Sequence, residues 1–135
     1  MEKYESMLKL KNYIVNEIYY KINDNFTPSE NGTPVNLSII PDIKTKDNYM
    51  QVLLNTVIFA NSVENNYPFE MKVSITGEFI VEGDSAEKFV RNAIAILYPY
   101  IRSIVSTYTA AANISPLILP VINVNKLIDD QSKNN

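Results

Sequence analysis

No cysteine and no histidine occur in the 135 residues. The first absence excludes a disulfide framework and a thiol nucleophile. The second removes the commonest general base and the commonest zinc ligand. The three glycines, Gly32, Gly77 and Gly83, do not have the spacing of a G-x-G-x-x-G or a G-x-x-x-x-G-K-[ST] phosphate loop, and neither motif is present. Arginine is confined to Arg91 and Arg102 and the lysines are scattered, so no basic face for nucleic acid is drawn. No run of roughly 18 apolar residues occurs, which leaves no candidate membrane span. The opening "MEKYESMLKLK" mixes charges and lacks a signal-peptide apolar region, so a cytoplasmic protein is expected. Acids outnumber bases, 15 to 12, but Glu64, Glu70 and Glu78 are spread over turn and strand, and Asp129 and Asp130 lie near the end. Paired-carboxylate catalysis needs two acids held close together in a cleft. The expectation is a non-enzyme with no metal site and no cofactor.

What is present is a patterned apolar chain of a length that fits one domain, 1–135. "NYIVNEIYYKI" (12–22) alternates. Strict period two puts Ile14, Ile18, Tyr20 and Ile22 on one side, with Tyr13, Val15, Glu17, Tyr19 and Lys21 on the other. "NDNFTPSENGTP" (23–34) is a loop rich in turn formers. "VNLSIIPDIK" (35–44) is a second strand, and Pro41 places it at an edge or a bend. "YMQVLLNTVIFANS" (49–62) and "EMKVSITGEFIV" (70–81) are the third and fourth. In the last, Gly77 interrupts the apolar row of Met71, Val73, Ile75, Phe79 and Val81, which suggests a bulge or a close approach of backbone. Four strands joined by turns predict an antiparallel meander.

The period then changes. Asp84 and Glu87 are spaced like a capping box. Phe89, Val90, Ala93, Ile94 and Leu97 follow helical spacing, as do Ile101, Ile104, Val105 and Tyr108. Pro99 lies between the two sets and predicts a boundary, with a lead-in helix over 85–97 and a long helix over 99–112. "NISPLILP" (113–120) is an apolar connector. Asn123 can cap a short final helix carrying Val124, Leu127 and Ile128. Helices of this length cover one face of a sheet. Tyr13, Val15, Tyr19, Leu53, Val57, Phe59 and Ile80 are thereby expected on the other face or its rim. With Phe26, Tyr67, Phe69 and "PLILPVI", this apolar surplus points to contacts with other proteins or between copies of the chain. Four N-x-[ST] sequons, at Asn25, Asn31, Asn36 and Asn113, are expected by chance in a chain so rich in asparagine.

The stretch "LYPYIRSIVSTYTAAANISPLILPVINVNKL" (97–127) resembles the SecB family of protein-export chaperones. Leu97, Tyr98, Pro99, Tyr100 and Arg102 match the family's leucine, aromatic, Pro-Tyr-Ala-Arg run. Leu119, Pro120 and Val121 match its "L-x-P-V-N-F" connector, with Asn123 following an inserted-looking Ile122. "EMKVSITGEFIVEG" resembles the family's last strand, with Gly77, Phe79 and Gly83 in register. The resemblance implies an α+β subunit with a four-stranded antiparallel sheet and helices packed on one face, assembling as a dimer of dimers. It implies no catalysis. It implies an ATP-independent holdase that binds unfolded or late-folding client proteins in apolar grooves, in protein export or delivery. Carried over, the groove residues are Phe26, Leu117, Ile118, Leu119, Val121, Leu127 and Ile128. The side of the long helix away from its Ile101, Ile104, Val105 and Tyr108 stripe, including Ser103 and Ala110, is the expected subunit contact. The family docks the SecA motor through acids on the open sheet face. Here Glu17 keeps one acid, while Lys21 and Lys72 stand where the family has acids, and such reversal opposes docking. SecB-like relatives also hold antitoxins. The alternative is therefore an oligomeric adaptor or antitoxin-binding protein on the same scaffold, without a general export role.

Overall fold

In the computed structural model, which describes residues 7–133, the alternating N-terminal stretch is one 16-residue strand, β1 (Met7–Ile22). A loop leads to β2 (Leu37–Lys46), which turns at Asp47 into β3 (Tyr49–Ile58). A single helical turn, α1 (Ser62–Asn65), precedes β4 (Phe69–Glu82). The chain then runs through a 3-10 turn at Ala86–Phe89 into α2 (Val90–Ala111) and, after an extended connector, α3 (Val124–Lys133). The fold is α+β, with four antiparallel strands and the long helix against one sheet face.

Strand order corrects the meander. β2, β3 and β4 follow one another across the sheet, but β1 pairs with β4, giving the order β1-β4-β3-β2. This is a Greek-key arrangement. The reason lies in β2. Pro41 sits within that strand, opposite Leu54, and has no N–H to give a second neighbour. A 1-2-3-4 order would have enclosed β2. The loop after β1 instead crosses the end of the sheet and leaves β2 at the far edge.

Strict alternation along β1 is also corrected. Its register against β4 slips between Leu10 and Asn12 and again between Val15 and Glu17. Lys11 and Asn16 are therefore extra residues, and each one reverses the phase of the residues after it. Tyr13 and Val15 pair with Gly77 and Ile75, and Ile18, Tyr20 and Ile22 with Val73, Met71 and Phe69. All five thus share the helix-facing side, whereas Ile14 pairs with Thr76 on the open side. Tyr13 stacks on Tyr100 of α2, with ring centroids 4.3 Å apart.

The core lies between sheet and α2. Met50, Val52, Leu54 and Ile58 of β3 and Met71, Val73, Ile75, Phe79 and Val81 of β4 are closed to solvent, and Ala93, Ile94, Leu97, Ile101 and Val105 cover them. Ile104 is half-buried and Tyr108 exposed, at the side of α2 over β1. Gly77 marks a close approach: a Cβ there would lie 2.6 Å from Leu97 Cδ2. Phe59, expected on the open face, is buried instead. Its φ of 56° ends the alternation of β3 and turns its ring into an edge-on contact with Phe69.

Pro99 does not divide two helices. It lies inside α2, with both Pro99 and Ala95, the residue whose carbonyl loses its donor, on the exposed side. Water can reach that carbonyl, so the missing bond is tolerated where it would be costly inside. The Asp84 and Glu87 pair forms no capping box. Ser85 precedes the 3-10 turn without a side-chain cap, and Asp84 instead accepts from the Ser85 N–H at 2.7 Å and from Lys88 Nζ at 3.2 Å. Asn123 does cap α3, its Oδ1 accepting the Lys126 N–H at 3.0 Å.

Candidate binding site

The Greek-key crossing leaves an opening at one end of the sheet. β1 ends there, the loop 23–36 passes across, Phe59 turns inward, and the connector after α2 arrives. Together they enclose a cavity of about 570 Å³. Tyr20 and Ile22 form one wall, Phe59, Pro68 and Phe69 the floor, Phe26 and Thr33 the loop side, and Ile114, Pro116 and Leu117 the connector side. Aromatic rings run on from it, from Tyr67 to Phe59 (5.0 Å), Phe59 to Phe69 (5.1 Å), Phe69 to Tyr20 (5.3 Å) and Tyr20 to Tyr108 (5.7 Å). Burial pushes the Tyr20 phenol above its ordinary pKa, and Tyr108 adds to the effect. It stays neutral at physiological pH. A lining of this kind attracts apolar groups without demanding a direction.

Asparagines hold the mouth open. Asn23 is buried. Its Nδ2 donates to the carbonyls of Tyr67 (2.9 Å) and Ser62 (3.2 Å), and its Oδ1 accepts the Asn25 N–H at 3.0 Å. Asn66, left-handed at φ 53°, exchanges two bonds with Thr27: it accepts the Thr27 N–H at 3.0 Å and donates to the Thr27 carbonyl at 2.9 Å. These side chains replace the strand partners that the crossing loop lacks.

The connector is held by its main chain. One face of α2 presents Tyr98, Arg102, Ser106 and Thr109, at steps of four, four and three residues. Tyr98 Oη donates to the Pro120 carbonyl at 2.5 Å, Arg102 Nε to the Leu119 carbonyl at 3.1 Å, and Ser106 Oγ to the Leu117 carbonyl at 3.2 Å. Thr109 Oγ1 accepts the Leu117 N–H at 2.9 Å and donates to the Val105 carbonyl at 2.8 Å. Burial pushes the Tyr98 phenol up against the opposing influence of Arg102, so it remains a donor. The connector lies antiparallel to α2, with Leu117 and Leu119 turned inward.

A second hollow of about 350 Å³ lies farther along, between Leu37 and Ile39 of β2 and Ile122, Asn123, Lys126 and Leu127 at α3. α3 is fastened to α2 by Arg91, which donates to Asn125 Oδ1 at 2.7 Å and lies 3.7 Å from an Asp129 oxygen.

The structure sorts the seven expected groove residues. Phe26 and Leu117 share the first cavity, and Leu127 lines the second. Ile118 and Val121 are 71% and 81% exposed on the outer side of the connector. Ile128 is half-buried against the core. Leu119 is 1% exposed: it belongs to the core and anchors the connector rather than offering surface. The sequence pattern does not mark Tyr20, Phe59, Phe69 and Ile114 as cavity residues. Isolated aromatics in one chain do not reveal that the crossing brings them together, and only the positive φ of Phe59 turns it in.

Glu17, Lys21 and Lys72 fall together on the open sheet face. Glu17 pairs with Ser74, Lys21 with Glu70, and Tyr19 with Lys72, whose ammonium lies 5.4 Å from the Tyr19 ring centroid. Ser103 lines an apolar hollow with Ile18, Ile104, Thr107, Tyr108 and Ala111, and Ala110 is exposed nearby on α2. Among the described residues no helix is long and apolar enough to cross a membrane.

Comparison with known proteins gives three kinds of match. The family model described as preprotein translocase subunit SecB matches residues 23–135. An uncharacterized protein of Methanocaldococcus jannaschii is 32% identical over 124 residues, covering 87% of this chain and 79% of that protein. Among solved structures, a SecB-like chaperone of Mycobacterium tuberculosis, in complex with a peptide from an antitoxin, is similar with a TM-score of 0.65 at 15% identity, covering 85% of this chain and 90% of that one. A protein of unknown function from Streptococcus agalactiae reaches 0.60 at 18% identity, covering 86% and 98%.

Proposed function

The chain belongs to the SecB family, and on that premise we propose that it is an ATP-independent chaperone that holds unfolded segments of client proteins. The observation that carries the reading is the aromatic cavity of about 570 Å³ at the end of the sheet, walled on two sides by a loop and a connector. Phe26 and Leu117 contact the client there, Leu127 contacts it at the second hollow, and Ile118 and Val121 extend the apolar rim. A second copy covers the hollow beside Ile18, Ser103 and Tyr108, and two such pairs make the assembly. Delivery to SecA is disfavoured by Lys21 and Lys72 on the open face. The antitoxin peptide held by the mycobacterial neighbour favours a second reading on the same scaffold, in which one dedicated partner replaces a range of clients.

The test is suppression of aggregation of a denatured model protein, without nucleotide. Phe26→Ser and Leu117→Asp should weaken suppression several-fold while the circular dichroism stays native. Full suppression by both variants would reject the site. Binding of a single native partner, with no effect on unfolded proteins, would favour the second reading.

A further inference from the structure

The chain contains 17 asparagines and a single Asn-Gly pair, Asn31–Gly32. This pair sits at the tip of the loop that crosses from β1 to β2. Both residues are exposed. Gly32 has φ +75°, and apart from its two chain neighbours no described residue comes within 4 Å of the position a Cβ would take. The turn is closed by the Gly32 N–H donating to the Ser29 carbonyl at 3.2 Å and by Ser29 Oγ donating to the Gly32 carbonyl at 2.8 Å. Both bonds are solvent-exposed and easily exchanged for water. The anchors described above, Asn23 and the Thr27–Asn66 exchange, hold the base of the loop and leave its tip free to open.

We propose that Asn31 is a self-modification site that loses its side-chain amide in the folded protein. The Gly32 backbone nitrogen, on losing its proton to solvent base, attacks Asn31 Cγ. The N–Cγ bond forms, the Cγ–Nδ2 bond breaks, and the amide leaves as ammonia. The product is a five-membered succinimide. Water then opens it at either carbonyl, leaving aspartate at position 31 or an isoaspartyl linkage. Glycine is the one following residue with no side chain to obstruct the approach, and its backbone reaches the required angles without steric cost. Holding nucleophile and carbonyl within the same short stretch of chain supplies the proximity. The product matters because of its place. It adds a negative charge beside Glu30, on the loop that supplies Phe26 and Thr33 to the cavity. The isoaspartyl form also adds a methylene to the main chain, which breaks the Ser29–Gly32 turn.

The experiment is incubation of the full-length protein at neutral pH and 37 °C, with peptide mapping by mass spectrometry and isoaspartate assay at intervals. Asn31 should convert at least about tenfold faster than any other asparagine, because a glycine follows it and follows no other asparagine. Asn31→Gln, which would require a larger ring, should abolish the isoaspartate signal while leaving the fold and the other asparagines unchanged. Conversion of Asn31 no faster than the rest, or isoaspartate persisting in Asn31→Gln, overturns the assignment.

Discussion

Thr56 shows how far one atom can stand against its surroundings. It lies on the core side of β3, 1% exposed, and its hydroxyl has no hydrogen-bond partner among the described residues. A buried unsatisfied hydroxyl costs free energy that a methyl of the same shape does not. Thr56→Val should therefore stabilise the fold by about 1 kcal/mol, read as a higher urea midpoint with unchanged slope. Pro99 is the reverse case, a misfit that solvent relieves. Pro99→Ala restores a donor to the Ala95 carbonyl and removes the ring from the helix. The unfolded chain gains some freedom in exchange, so the net stabilisation should be about 1–2 kcal/mol, checked by thermal unfolding. A loss of stability would mean that the proline shapes α2 in a way that alanine cannot.

Among the elements, the connector depends on side chains of α2 more than on itself. Thr109→Val removes the acceptor for the Leu117 N–H but keeps the volume. Amide exchange at Leu117 should accelerate about tenfold, with the neighbouring sheet unchanged, because the opening is local. Uniform acceleration across β3 and β4 would instead show that the connector and core open together. The same contrast between local and distant partners decides which elements are legible in the sequence. Strands, helical stretches and the Asn123 cap come from period and cap chemistry, which are local. The two bulges of β1 are not: Lys11 and Asn16 become extra only because β4 is shorter by those two residues. Period two alone therefore places Tyr13 and Val15 on the wrong face. Pro99 misleads in a similar way, since its tolerance depends on which side of α2 meets water.

For the whole molecule, the absence of histidine has a consequence for pH. No side chain titrates with an ordinary pKa near neutrality, so stability should be flat between about pH 6 and 8. Below that range carboxylates take over. The Asp84 carboxyl is held below its usual pKa by the Ser85 N–H first and by Lys88 next. A depressed folded pKa means stabilisation that is present above the unfolded value and lost as pH falls through the folded one. Acid should thus loosen the 3-10 turn at Ala86–Phe89, seen as faster amide exchange there. A transition centred near neutral pH would contradict this charge inventory. The position of the cavity is only partly legible in the sequence. Phe26 and Leu117 stand out as apolar residues in loop and connector, but their meeting with Tyr20 and Phe59 depends on β1 lying next to β4. The ladder from α2 to the connector also bears on how the sequence can change. Its rungs end on carbonyls and one N–H, which every residue carries except for proline's missing N–H. Spelling is therefore free at most connector positions, but length is not. One residue inserted between Leu117 and Leu119 would move the Leu119 and Pro120 carbonyls off Arg102 and Tyr98 and turn Leu119 outward. Ile122 follows Pro120, the last rung, at a point where the chain can lengthen without losing count.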